Sequence, residues 1–376
     1  MPSKSLLLFL CFSFCTLFLG VNQGHGQDDI DFSKARQIQQ RILNGETVTQ
    51  EERAYFERAK QARQRDKGRR ALDNKPPIGL KPLSDMSAKD KYKGEDGGLY
   101  GKGENKPPQE HLKSALLVSK TIQPLDAKGN PAEDGEIGLV SIGMSNTTQE
   151  FSTFVQLAGH DAKKSPHVVL VDGAQGGMEA QAWAESGRPW DMLDQRLKQS
   201  GVASQQVQAI WLKQARRSPA SLGAFPKHAN EMNGHMIVIL HKLKERFPNL
   251  KIVYLSSRIY AGYARSDLNP EPYAYESAFA VRRLIQDQIK GVPSLNYNSF
   301  KGKVAPPILL WGPYLWADGD KGRKLDGLTW SPDDFAQDGT HPSESGRRKV
   351  AEQLLRFFKS DPTTEGWFLA KSGDHH

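Results

Sequence analysis

Cysteine is almost missing from this chain. Its 376 residues hold two, Cys11 and Cys15, and both lie inside the one long apolar run, residues 5–21 (SLLLFLCFSFCTLFLGV). Lys4 precedes that run and Gly24-His25-Gly26 follows it, with small residues at the two positions a signal peptidase reads. We therefore expect residues 1–26 to be a cleaved signal peptide. The competing reading is an uncleaved anchor, but the run is short for a span and its exit is Gly-rich and polar. No second run of spanning length follows, so no stable membrane span is expected after cleavage. Neither cysteine has the small-residue context of a lipid-modified one. A mature chain without cysteine excludes thiol catalysis, cysteine-based zinc sites and disulfides, so stability must come from the size of the core.

Excess charge is also scarce. The formal net charge is +8, or +7 once Lys4 is subtracted, a low density over roughly 350 residues. The sharpest basic stretch, within 58–70, holds Arg58, Lys60, Arg63, Arg65, Lys67, Arg69 and Arg70 against a single Asp66. It suits contact with an envelope surface or an anionic polymer, or a solvated helix face. No aromatics are interleaved with it and no nucleic-acid motif accompanies it, so a nucleic-acid partner is not expected. A composition of 38% hydrophobic and 25% charged residues excludes both a disordered polymer and a polytopic membrane protein.

What is present changes character along the chain. Residues 28–72 read as two polar helices separated by Asn44-Gly45, the second opened by the capping box Thr49-Gln-Glu-Glu52. Their apolar stripe is thin, with Ile38, Ile42, Tyr55 and Phe56. Residues 73–110 are rich in Pro, Gly and Lys and read as an irregular linker or strap, with Leu80, Leu83, Met86, Leu99 and Tyr100 available to pin it down. Its glycine cluster lacks the spacing of a phosphate loop.

From residue 111 short apolar runs alternate with amphipathic segments. Strands are expected over 137–142, 167–171, 207–212, 251–255 and 307–311. Helices are expected over 148–158, 228–246, 273–290 and 343–359, the last with Val350, Leu354, Leu355 and Phe358 at core spacing. This alternation predicts an α/β fold of three layers, with helices on both faces of a mainly parallel five-stranded sheet, over 111–362. Residues 363–376 read as a C-terminal tail.

In such a sheet the ligand crevice lies beyond the carboxyl ends of the strands. Gly143-Met144-Ser145-Asn146 follows the first strand and places a hydroxyl at a strand-to-helix turn, where free N–H groups favour developing negative charge. Either Ser145 or Asn146 also suits a plain helix N-cap. Asp172-Gly-Ala-Gln-Gly-Gly177 follows the second strand, and Trp211-Leu-Lys-Gln214 ends the third. Asp338-Gly-Thr-His341 precedes the last helix, at a spacing that lets the carboxylate reach the ring nitrogen a nucleophile does not use. His228, His235 and His241 lie on one helix at intervals of seven and six, which is not paired-ligand spacing.

In order, these four places resemble the conserved blocks of the SGNH (GDSL-like) hydrolases, over roughly residues 135–360. Within that superfamily the stretch 168–183, with its paired glycines and Trp183, is similar to the sialate-O-acetylesterase-like carbohydrate esterases. The resemblance implies an SGNH-type three-layer fold and an exported, cofactor-free and metal-free acyl-ester hydrolase acting on an acylated carbohydrate, most simply an acetylated one. It assigns Ser145 as nucleophile, His341 as general base and Asp338 as its orienting partner. It places the oxyanion against the N–H groups of Ser145 and of Gly176 or Gly177 and the amide of Gln214, with Asn146, Trp183 and Arg216 near the substrate. The chain departs from the pattern at Met144, where Asp or Gln is usual, and at Ala215-Arg216, where Gly-Glu or Asn-Asp is usual. A non-catalytic glycan-binding or envelope-associated protein on the same fold, or a secreted lipase or phospholipase, are the alternatives. Trp183, Trp190, Trp211, Trp311, Trp316 and Trp330 follow strands or lie in loops, and about two of these rings are expected to stand accessible for sugar stacking. Arg188, Arg216, Arg217, Arg258 and Arg265 would favour a uronic or sulfated glycan. The expected location is secreted, periplasmic or cell-envelope.

Overall fold

The computed structural model of the chain describes residues 30–44, 46–73 and 77–371, without the side chains of 64–73. The expected signal peptide with Cys11 and Cys15, and the side chains of Arg65, Lys67, Arg69 and Arg70, lie outside these residues. The chain divides into two compact units, one ending at Asp66 and the other starting at Lys67.

The first unit holds α1 (Phe32–Leu43) and the start of α2 (Gln50–Asp73). The Asp31 carboxylate caps α1 by accepting from the N–H groups of Ser33 and Lys34. The capping box of α2 forms in both directions: Glu52 N–H donates to Thr49 Oγ1 at 3.1 Å, and Thr49 N–H donates to Glu52 Oε2 at 2.8 Å. Arg41 ties the helices together through Glu46 and Glu52. Only Ala35 and Ile38 of α1 are buried, so caps and ion pairs, more than a core, shape this hairpin.

In the second unit, α3 (Gln109–Ser119) leads into β1 (Ile137–Gly143), α4 (Ser145–Gly159), β2 (Val168–Asp172), α5 (Ala180–Glu185) and α6 (Arg188–Gln199). Next come β3 (Val207–Lys213), α7 (Lys227–Arg246), β4 (Ile252–Ser256), α8 (Tyr273–Lys290), β5 (Ile308–Trp311), α9 (Glu344–Ser360) and α10 (Glu365–Phe368). All five strands expected from the apolar runs form, and they pair in parallel in the order β2-β1-β3-β4-β5. The order reverses direction after β2, and right-handed crossovers then put α4 and α9 on one face and α5 to α8 on the other. The result is a three-layer α/β/α fold. Every residue of β1, β3, β4 and β5 is buried, which explains why they read as continuous apolar runs, whereas the edge strand β2 is buried only in part.

Two segments correct the reading of the sequence, and another decides between alternatives it left open. Helices α3, α5 and α6 were not foreseen; α6 begins with Arg188-Pro189 and buries Trp190, Leu193 and Leu197. The segment read as a linker or strap packs as a strap of the second unit. Leu83, Met86 and Leu99, named as its pins, are core residues, and the irregular backbone of 77–108 is satisfied partly by its own turns and partly by side chains far along the chain. Asp318 accepts from the N–H groups of Ile78 and Gly79, and Trp311 Nε1 donates to Leu99 O. Arg282 donates to Asp96 O and Glu95, and Gln286 donates to Tyr100 O. The segment therefore straps α8 and β5 and takes no part in the pocket described below. Third, the expected tail is not a tail through residue 371. Trp367 and Phe368 join Phe154, Phe358 and Tyr254 in an aromatic layer against α4 and α9, and Ser165 N–H donates to Phe368 O. No helix of the described residues is long and apolar enough to cross a membrane.

Candidate active site

The parallel register brings Gly143, Lys213 and Ser256 side by side at the carboxyl edges of β1, β3 and β4. The polar groups next in sequence therefore converge at the switch point between β1 and β3. Gly143 makes the close approach possible, because a Cβ there would sit 2.3 Å from Lys213 O and from Thr147 Oγ1. Trp183 Nε1 and Gln175 N–H both donate to Gly143 O, fixing the end of β1.

Ser145 is the first residue of α4. Its N-cap is Met144, whose side chain makes no capping hydrogen bond, so the first-turn N–H groups have no side-chain acceptor and carry the positive end of the helix dipole. Ser145 Oγ lies 2.8 Å from His341 Nε2, and His341 Nδ1 lies 2.5 Å from Asp338 Oδ2. Asp338 Oδ1 also accepts from the N–H groups of Thr340 at 2.9 Å and His341 at 3.0 Å. Partial burial pushes the Asp338 carboxyl up, but these hydrogen bonds outweigh it and hold the group down at about 2. The turn is folded tightly by Gly339, with φ of +64° and a missing Cβ that would meet Tyr263 O. Asn146 Nδ2 donates to Thr340 O at 2.9 Å and ties this turn to α4.

Beneath the serine lies a fully buried ion pair between Lys213 of β3 and Glu150 of α4. Burial drives both toward their neutral forms, pulling Lys213 down to about 8 and Glu150 up, while their mutual attraction opposes the shift. On the other side Asp172, at the end of β2, accepts from the hydroxyls of Ser141, Thr148 and Ser152 and so stitches β1, β2 and α4 together.

A small pocket of about 100 Å³ opens at Ser145 and His341, walled by Met144, Asn146, Gly177, Glu179, Ala215, Arg216, Arg217, Arg258, Leu268, Asn269 and Thr340. The structure brings Ser145, His341, Asp338, Asn146, Gly177 and Arg216 into this region. Arg216 Nη1 is gripped by both Glu179 oxygens at 2.9 Å and by Gln181 at 2.8 Å. Gly176 is exposed but does not line the pocket, and Gln214 does not reach it. The Gln214 amide is wholly buried without a hydrogen-bond partner in the protein, where Ala180 N–H, at the start of α5, closes onto the neighbouring Ala215 O.

The expectation that Trp183 meets substrate is overturned. Its ring is fully buried, held by the bond to Gly143 O and edge-on against Trp190 at 4.9 Å. About two of the six tryptophans were expected to stand accessible, but the other five are buried as well, and their indole N–H groups donate to Trp183 O, Ser256 Oγ, Leu99 O, Glu271 and Leu315 O. An internal acceptor for each N–H allows these rings to serve the core. Sequence reasoning missed Glu150, Lys213, Glu179 and Asn269. The one available signal was Lys213, a charged residue closing an otherwise apolar strand.

No protein-family profile matches the chain, and no curated protein matches it. Among solved structures, the lipase Lip_vut3 from a goat rumen metagenome is similar with a TM-score of 0.31 and 13% identity, over 60% of this chain and 99% of that one. A protein of Arabidopsis thaliana is similar at TM-score 0.30 and 14% identity, over 56% of this chain and 67% of that one. A protein of Bacillus subtilis is similar at TM-score 0.33 and 13% identity, over 61% of this chain and 57% of that one.

Proposed function

We propose that this chain is a secreted serine esterase of the SGNH type that removes short acyl groups, acetyl first among them, from a carbohydrate. The observation that carries this reading is the continuous relay from Ser145 Oγ through His341 to Asp338 at the N-terminus of α4. His341 Nε2 takes the Ser145 proton as Oγ attacks the ester carbonyl, while Asp338 keeps Nδ1 protonated and stabilises the imidazolium. The carbonyl oxygen, now an oxyanion, accepts from the N–H groups of Ser145 and Gly177. His341 then gives its proton to the departing sugar oxygen, leaving an acyl group on Ser145. Water, deprotonated by the same imidazole, attacks that acyl group and releases the acid.

The pocket of about 100 Å³ supports a short acyl group over a fatty chain, and so disfavours the lipase alternative. The resemblance to carbohydrate esterases supports the sugar, and the buried tryptophans contribute nothing to it. The test is hydrolysis of 4-nitrophenyl acetate and acetate release from acetylated glycans by the chain from residue 27. Ser145→Ala is expected to lower kcat at least about 10³-fold. Full activity in that variant would remove Ser145 from the mechanism, and a folded parent inactive on a broad acyl panel would favour a binding protein.

A further inference from the structure

We propose that Arg258 makes the pocket beside Ser145 an oxyanion-recognition site, so that the favoured ester carries a carboxylate or sulfate close to its acylated position. The proposal rests on the esterase reading and adds to it the chemical class of substrate.

Arg258 lies two residues beyond the end of β4, at the same carboxyl edge as the nucleophile, and contributes to the pocket wall. Its side chain is almost completely buried, with 2% of the residue exposed, yet neither Nε nor Nη2 has a hydrogen-bond partner in the protein. Each neighbouring carboxylate makes its ion pairs or hydrogen bonds with other groups, although Glu150 Oε1 is buried without a hydrogen-bond partner of its own. Glu150 pairs with Lys213, and Glu179 grips Arg216. Glu271 accepts from Trp316 Nε1 and from the N–H groups of Ala261 and Tyr275, and Asp338 serves His341. Among the described residues no carboxylate forms an ion pair with Arg258, although Glu150, Glu271 and Asp338 attract it from a distance.

A buried guanidinium is costly unless paired and hydrogen-bonded, and its planar fork matches the paired oxygens of a carboxylate or sulfate. The N-terminus of α4 faces the same pocket and favours the same sign of charge. Arg217 adds a second cation at the exposed rim. Arg216 does not, because Glu179 neutralises it. An anion held by Arg258 orients the ester against Ser145 and raises kcat/KM for substrates that carry it.

The test is a matched pair of acetyl esters, 4-acetoxybenzoate and its methyl ester, compared at constant ionic strength. The parent is expected to show kcat/KM at least tenfold higher for the carboxylate. In Arg258→Met the ratio of kcat/KM for the two esters, read within that variant, is expected to fall to near unity. Arg258→Lys, which keeps charge but loses the fork, should retain part of the preference. If Arg258→Met does not fold, the parent's ratio together with a partial loss in Arg217→Gln decides. Equal rates on both esters would overturn the anion site and leave the esterase reading intact. If a folded parent hydrolyses neither, the esterase reading fails, and calorimetric titration with sulfate and 4-hydroxybenzoate decides the site by itself. Saturable binding that Arg258→Met abolishes would uphold it, and absence of binding would overturn it.

Discussion

At the scale of single residues, the arrangement around Ser145 depends on the Asp338 carboxylate that holds Nδ1 of the His341 ring. Asp338→Asn preserves size but lets the amide stabilise the wrong imidazole tautomer, so kcat is expected to fall about 10³- to 10⁴-fold with little change in KM. The same variant has a signature in stability. The folded-state Asp338 titrates at about 2, below its unfolded value, so its stabilising contribution is present above about pH 4 and is lost as pH falls through about 2. The gap in Tm between parent and Asp338→Asn should therefore shrink as pH drops from 5 to about 2. A gap independent of pH would disconnect the carboxylate from folding. Ser145 and His341 are legible in sequence because a hydroxyl after an apolar strand and an Asp-x-x-His before a helix are local patterns. Trp183 was misread for the converse reason: an indole placed just past a strand looks the same in sequence whether its N–H faces a sugar or Gly143 O.

Between elements, the Lys213–Glu150 pair joins the central strand β3 to α4, the helix that Ser145 opens. Removing one partner leaves an unpaired buried charge, so Lys213→Met is expected to cost about 3–5 kcal/mol in chemical denaturation. The double variant Lys213→Met with Glu150→Leu is expected to recover most of that loss. If the two single losses simply added, the pair would not be coupled. This pairing is invisible in sequence, since the two residues stand 63 positions apart and each looks ordinary alone. The strands were legible because burial on both faces turns them into uninterrupted apolar runs. The strap over 77–108 was legible as an irregular segment with apolar pins, but its polar anchors were not, because they bond to residues 183 to 240 positions away.

For the molecule as a whole, two truncations separate what the second unit needs from what it does not. Removing residues up to 73 takes away the polar hairpin and is expected to leave Tm within about 2 °C and kinetics unchanged. Removing residues up to 108 also strips Leu83, Met86 and Leu99 from the core and leaves the buried Arg282 without its strap partners, so loss of cooperative folding is expected. Thermal melts followed by circular dichroism would check both. A core without disulfides among the described residues has to be closed by such packing, and Trp367 and Phe368 close it at the far end.

That closure at the far end gives the chain a schedule. Ser145 and His341 are 196 positions apart, and His341 comes after the last strand, β5, which ends at Trp311. Synthesis thus supplies all five strands, Ser145 and the pocket arginines before it supplies His341. On the proposed mechanism the growing chain lacks a base for Ser145 until the turn that carries His341 and the α9 behind it are made, and a product cut short of residue 341 would hold an ester without hydrolysing it.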